Sequence, residues 1–260
     1  MTKDVGTTPL VALHGVAKSF ASGVVALDGL DLAVREGEFL SLLGPSGCGK
    51  STALRIIAGL SEPTSGRVDW RDGQAARRNI GFVFQDPTLM PWANVFDNVR
   101  LPLKLKGESA GDSAPRVNEA LKRVGLTAFG GAYPRELSGG MKMRVSIARA
   151  LVTRPTLLLM DEPFAALDEI TRFKLNDDLL ALWRALGKTV VFVTHSVFES
   201  VYLSTRIVVM TQRPGRVFTE LAVDAPQPRD AHFRTSTDYV GLCRLASDAL
   251  AGAMGEGASP

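Results

Sequence analysis

Between Glu38 and Gly59 an apolar run, a glycine-rich loop and an amphipathic segment follow one another without a break, and no other feature constrains this chain as much. Glu38 to Leu43 (EFLSLL) is nearly continuously apolar, as a strand buried on both faces must be. It runs straight into Gly44-Pro45-Ser46-Gly47-Cys48-Gly49-Lys50-Ser51, which fits G-x-x-x-x-G-K-[ST]. STALRIIAGL then sets Leu54, Ile57 and Ala58 at helical spacing and stops at Gly59. Strand, loop and helix in that order form the context in which this string binds phosphate. Glycines let backbone N–H groups wrap the anion, and the helix N-terminus adds partial positive charge. Lys50 is placed to reach the β and γ phosphates, and Ser51 to ligate Mg2+.

Strands and helices alternate through the rest of the chain. Ile80 to Phe84, Leu157 to Met160, Thr189 to Thr194 and Arg206 to Met210 read as buried strands, and Glu169 to Leu186 as an amphipathic helix. This order predicts an α/β fold around a parallel sheet. Val11 to Phe20 and Ala26 to Val34 are β-rich runs upstream. From Asn94 to about Val152 the pattern is helical, interrupted by KGESAGDSAP (106–115), which reads as a flexible surface loop. Ser138 opens a helix with Met141, Val145, Ala148 and Val152 on one stripe. Beyond Pro226 a single helix is expected, Asp238 to Ala251, before an end of small, flexible residues.

With 45% apolar and 22% charged residues, the 260-residue chain has the make-up of a folded globular protein rather than a disordered or fibrous one. A net charge of +3 identifies no partner. No charge-free run approaches the length of a membrane span and MTKDVGTTPL lacks a signal core, so a cytosolic location is expected. Cys48 and Cys243 are too few for a secreted disulfide framework, or for a four-ligand zinc site without help from the three His.

Three further elements carry chemistry. LLLMDEP (157–163) is an apolar strand ending in two acids, of which Asp161 suits the metal side and Glu162 the base beside the γ-phosphate. Taken alone, such a pair is commonly a helix cap or a solvated loop; the phosphate loop upstream gives it a task. His195 follows TVVFVT, at the strand end where open α/β sheets place ligand groups. Leu137-Ser138-Gly139-Gly140-Met141 leaves donors exposed at a helix N-terminus, ahead of Lys142, Arg144 and Arg149, and so reads as a second anion site or as a simple helix cap. Two such half-sites on one chain suit a head-to-tail pair that sandwiches two nucleotides.

Together these elements resemble the nucleotide-binding subunit of an ABC transporter. GPSGCGKS is similar to Walker A, GFVFQ to the Q-loop, LSGGM to the signature, LLLMDEP to Walker B, ALD to the D-loop and VTHS to the switch. The resemblance implies a RecA-type P-loop NTPase core with an inserted helical subdomain and an N-terminal antiparallel β region. It divides the chain into an ATPase domain over 1–225, with core 1–86 and 153–225 and helical subdomain 87–152, and a one-helix tail over 226–260. It implies ATP on Phe20 and on Gly44 through Ser51 and Thr52, with Phe20 stacking where the family usually has Tyr. Mg2+ falls to Ser51, Gln85 and Asp161; catalysis to Lys50, Glu162, His195 and Gln85; the opposite subunit's ATP to Ser138, Gly139, Gly140 and Met141; and dimer coupling to Asp168. Met141 and Met143 stand where the signature often has Gln.

LSGGM, TLMPW and MDEPFAALDEITR are similar to importers of nitrate, sulfonates and taurine, and importers of pyrimidine precursors share much of them. The implied partners are a second copy of the chain, two transmembrane permease subunits and an extracytoplasmic binding protein, with the ATPase peripheral on the cytoplasmic face of the inner membrane. Leu89, Met90 and Trp92 then read as a groove for a short helix of the permease, and Phe96 as core. A non-transport ATPase acting on nucleic acid, using Arg67, Arg71, Arg77 and Arg78, is the competing class, with no nucleic acid expected on balance. A P-loop kinase leaves LSGGM and His195 unexplained. A bulky adduct on Cys48, inside the loop, is expected to block nucleotide.

Overall fold

The computed structural model describes residues 8–73, 79–226, 229–230 and 232–255. In chain order its elements are β1 (Val11–Ser19), β2 (Val25–Val34), β3 (Phe39–Leu43), α1 (Lys50–Ile57), β4 (Ser65–Trp70), β5 (Ile80–Val83), α2 (Val95–Leu105), α3 (Ala110–Arg123), α4 (Gly139–Leu151), β6 (Leu157–Asp161), α5 (Glu169–Leu186), β7 (Thr189–Thr194), α6 (Val197–Leu203), β8 (Arg206–Met210), β9 (Val217–Ala222) and α7 (Thr237–Gly255). They fall into two compact units, Asn79–Lys188 and the remainder.

In the first unit β2, β1 and β4 form an antiparallel sheet in that order. A second sheet sets β3 between β7 and β8, all parallel, with β9 antiparallel on β8. Every residue of β3, β7 and β8 is buried, which explains their unbroken apolar sequences. The buried Arg206 that opens β8 is neutralised by Glu38 at 2.8 Å and Glu220 at 2.7 Å. Helix α7 packs on α6, β8 and β9. Its Gly252 is demanded by that packing, since a β-carbon there would lie 2.9 Å from the Phe218 ring. The 226–255 segment is further tied down by Arg229, whose buried guanidinium donates to the carbonyls of Val201 and Tyr202 at the end of α6. Burial lowers the Arg229 pKa to about 10.

In the second unit β5 pairs in parallel with β6, and α2, α3 and α4 pack on one another. Gly81 lets α4 approach β5, because a β-carbon would come within 2.7 Å of the Ala150 carbonyl. The expected loop over 106–115 is mostly helix: α3 starts at Ala110, and the Ser109 side chain caps it by accepting the Asp112 N–H. That cap, with Asp112 in the first turn and Lys122 and Arg123 in the last, outweighs Gly111 and an exposed Pro115. Strands β4 and β9 and helix α6 carry no strong sequence pattern, and α7 starts at Thr237, next to the expected Asp238, and runs past Ala251 to Gly255. The terminal residues read as small and flexible lie outside the described residues from 256 onward. No helix among the described residues is long and apolar enough to cross a membrane.

Candidate active site

Leu43 pairs with Thr194 on one side and with Val209 on the other, so the phosphate loop leaves β3 between the carboxyl ends of two parallel neighbours. Ser46 and Gly47 are exposed at its crest, while Cys48 and Lys50 are buried beneath. The left-handed backbone of Gly49, φ 105°, caps α1, and a β-carbon there would meet the Ala26 carbonyl at 2.6 Å. No side chain caps α1, which leaves its first-turn N–H groups to an anion. Lys50 is only 3% exposed, and its Nζ donates to the Gly44 and Pro45 carbonyls at 2.7 and 2.9 Å. The ammonium is therefore held inside the loop that it would serve.

The Cys48 thiol lies 3.9 Å from the Lys50 Nζ, and burial pushes its pKa up despite that cation. A shielded, protonated thiol reacts slowly, so the adduct expected from sequence forms only when the loop opens. His195 is exposed at the end of β7. Its neighbours are fixed on both sides: the Ser196 N–H donates to Thr194 Oγ1 at 3.0 Å, and Ser196 Oγ accepts the Glu199 N–H to cap α6. Phe20, 45% exposed, stands in a tight turn after β1 with the Lys18 ammonium 5.5 Å from its ring centre.

In the second unit Val83 pairs with Met160, so Gln85 and Asp161 emerge from neighbouring strand ends. Asp161 is buried and Gln85 exposed. Glu162 has φ 45°, an uncommon conformation for a residue with a side chain. Strain of this kind costs about 1–3 kcal/mol and gathers at functional positions. Ser138 caps α4 by accepting the Met141 N–H at 3.3 Å. The two glycines after Ser138 pack closely on Leu167 and on α5: a β-carbon on Gly139 would lie 3.2 Å from Leu167, and one on Gly140 2.7 Å from Thr171. Asp168 caps α5 by accepting the Thr171 N–H, a bond that holds its carboxyl below the usual range. Met143 is buried, while Met141 is only partly so.

Two of the cations behind the signature have structural work. Arg144 pairs with Asp178 and donates to the Val124 carbonyl, and Arg149 donates to the Pro87 and Thr88 carbonyls. Neither is left for a second anion, and of the three cations only Lys142 remains beside the N-terminus of α4. Arg149 instead holds the segment after Gln85, and buried Asn98 completes the hold. The Asn98 Oδ1 accepts the Met90 N–H at 2.7 Å, and its Nδ2 faces the Met90, Ala93 and Asn94 carbonyls at 3.0–3.1 Å. On that anchored loop Trp92 is 77% exposed, Leu89 and Met90 are partly buried, and Phe96, expected as core, is partly exposed. Arg67 and Arg71 pair with Asp69 and Glu36; Arg77 and Arg78 lie outside the described residues.

A phosphate loop at a parallel strand end in one unit, and an acid-tipped strand and a glycine-led helix N-terminus in the other, are the elements of a nucleoside-triphosphate hydrolase. A family model described as ABC transporter matches residues 27–165. Over 219 residues the chain is 51% identical to an uncharacterized ABC transporter ATP-binding protein of Methanocaldococcus jannaschii, covering 84% of this chain and 81% of that one. It is 47% identical to an aliphatic sulfonates import ATP-binding protein of Pseudomonas syringae pv. tomato, covering 90% and 93%, and 46% identical to a taurine import ATP-binding protein of Rhizobium johnstonii, covering 80% of each. A solved ATP-binding cassette, dimeric and bound to ADP and Pi after hydrolysis, superposes with TM-score 0.71 at 38% identity, covering 83% of this chain and all of that one. The chain belongs to the ABC transporter ATP-binding family, as an ATP hydrolase with a P-loop NTPase fold.

Proposed function

We propose that two copies of this chain close head to tail on two ATP molecules and drive import of a small sulfonate, of the alkanesulfonate or taurine kind, through separate membrane subunits. The observation that carries this reading is the 47% identity to an aliphatic sulfonates import protein, sustained over 90% of the chain. In each half-site Lys50 and the N–H groups of α1 bind the phosphates, and Phe20 offers a face to the base. Glu162 accepts a proton from the attacking water, and His195 donates toward the γ-phosphate. The partner copy closes the site with Ser138, Gly139, Gly140 and Met141, and Asp168 couples the two.

Mg2+ fits the donors proposed for it, Ser51, Gln85 and Asp161, since all offer oxygen and this ion commonly takes one or two carboxylates, here Asp161, beside phosphate and water. Among the described residues no cluster of three acidic, His or Cys side chains forms a cation cage, and none is needed. When bound, the ion neutralises charge on the β and γ phosphates. Trp92, Leu89 and Met90 present an apolar surface for the permease on the loop that follows Gln85, so a shift of Gln85 reaches that surface through an anchored backbone. On this reading the chain works peripherally on the cytoplasmic face of the inner membrane, beside two permease subunits and served by an extracytoplasmic binding protein.

Deletion of the gene for this chain tests the substrate. Growth should fail with taurine or an alkanesulfonate as sole sulfur source and persist on sulfate. Normal growth on sulfonates, with loss of uptake of a pyrimidine precursor or nitrate, would assign the chain to one of those importers instead.

A further inference from the structure

The phosphate loop is flanked by two strands, β7 and β8, and each delivers a nitrogen-bearing side chain just beyond its carboxyl end. After β7 this is His195. After β8 it is Arg213, four residues from the point where Val209 pairs with Leu43. The Arg213 Nε donates to the Gly47 carbonyl at 3.0 Å, and a β-carbon on Gly47 would lie 2.9 Å from its Nη2. The guanidinium thus lies over the exposed crest of the loop, in the space a side chain at Gly47 would fill.

The turn that presents Arg213 is fixed at several points. The Thr211 N–H donates to the Arg216 carbonyl, the Arg216 N–H to Thr211 Oγ1, and Thr211 Oγ1 to the Pro214 carbonyl, each at 3.0 Å. The Gly215 N–H donates to the Ala26 carbonyl at 2.9 Å. A β-carbon on Gly215 would come within 2.0 Å of the Cys48 carbonyl, so only glycine lets this turn seat against the phosphate loop. The two arginines of the turn differ in charge balance. Arg216 pairs with Asp28, whereas among the described residues no carboxylate pairs with Arg213. One of its five N–H donors is used, on the loop itself, and the side chain is exposed.

We propose that Arg213 is a second phosphate-binding cation of the nucleotide site, held by the turn after β8 so that its remaining guanidinium donors meet the phosphate chain of ATP beside Lys50. Three observations support it: an uncompensated guanidinium at the loop crest, a turn that only glycine can seat there, and a position at a parallel strand end, where open α/β sheets bind ligands. The proposal rests on the assignment of Gly44–Ser51 as the ATP loop. A planar guanidinium suits phosphate oxygens, and charge-assisted bonds to them are the strong ones.

Equilibrium binding of MgATP to the full-length chain and to Arg213→Ala, Arg213→Gln and Arg213→Lys tests it, because Gln keeps a donor for Gly47 while losing the charge. Loss of the cation should raise the Kd about tenfold in both Ala and Gln, and Lys should recover most of the affinity. Between about 0.05 and 0.3 M salt, wild-type affinity should fall more steeply than that of Arg213→Ala. Wild-type affinity in Gln with a loss only in Ala would reduce Arg213 to a brace for Gly47 and overturn the proposal. So would unchanged affinity and salt dependence in all three. If the wild-type chain itself bound no ATP, the assignment of the loop would fall before any variant was compared.

Discussion

The two units hold their share of the chemistry in opposite ways. In the first, Lys50 is buried and bound by carbonyls of its own loop, and glycines at 49 and 215 sit where any side chain would strike backbone. In the second, Gln85, Trp92, Ser138, Gly139 and Asp168 are exposed, on backbone gripped by Asn98 and Arg149 and by the close packing of Gly140 on Thr171. A phosphate cradle works only if it is formed before the ligand arrives, so Lys50 and the backbone beneath the exposed crest are held in place. Residues that meet another surface must stay exposed, and their rigidity comes from one or two polar anchors below them.

Removing a locked group should therefore cost most in binding. Lys50→Ala should weaken ATP affinity about a hundredfold with the thermal midpoint little changed, by calorimetric titration and melting. A loss of fold without a specific loss of binding would make Lys50 structural and erase the contrast. Removing an anchor in the second unit should act on stability instead. Asn98→Ala strands the Met90 N–H and three carbonyls and should destabilise the chain by about 2–3 kcal/mol in urea titration. Hydrogen exchange should rise in residues 88–94 while that of the phosphate loop stays unchanged.

Gly140→Ala forces a methyl against Thr171 and should cost about 1–2 kcal/mol. Thr171→Ser, which removes the offending methyl, should restore most of it; failure of that rescue would locate the glycine requirement elsewhere. The smallest effect is expected at Cys48. Maleimide should inactivate the folded chain slowly, more slowly still with MgATP, and not at all in Cys48→Ser. Rapid, ATP-insensitive inactivation would show the loop to be open rather than locked.

The first unit's cradle was legible because it is local: a buried strand, a glycine-rich loop and a helix start within one stretch of sequence. Strands Thr189–Thr194 and Arg206–Met210 were legible for a related reason, burial on both faces, and helix Glu169–Leu186 through its amphipathic pattern; Asp168 and Gly187 cap it in the structure. Strand β9 escaped notice because it alternates little between buried and exposed. The first turns of helix α3 were hidden by Gly111 and Pro115, although Ser109 and Asp112 carried the cap. Arg149, Asn98 and Arg213 were illegible in their working roles. Arg149 reaches Thr88 across 61 residues and Arg213 reaches Gly47 across 166, and no local pattern encodes such pairings. Asn98 faces a loop only a few residues away, but a lone Asn in an amphipathic segment looks like any polar position.

In the proposed cycle the cradle of one copy and the exposed signature of another close on ATP, and Glu162 activates the attacking water. Glu162→Gln keeps size and hydrogen bonding but loses the acceptor charge, so ATP should bind while turnover falls at least a hundredfold. Light scattering of this variant should show monomer without nucleotide and dimer with ATP, and the dimer should disappear when Ser138→Arg is added. Monomer throughout, with turnover near wild type, would contradict both the base and the shared site.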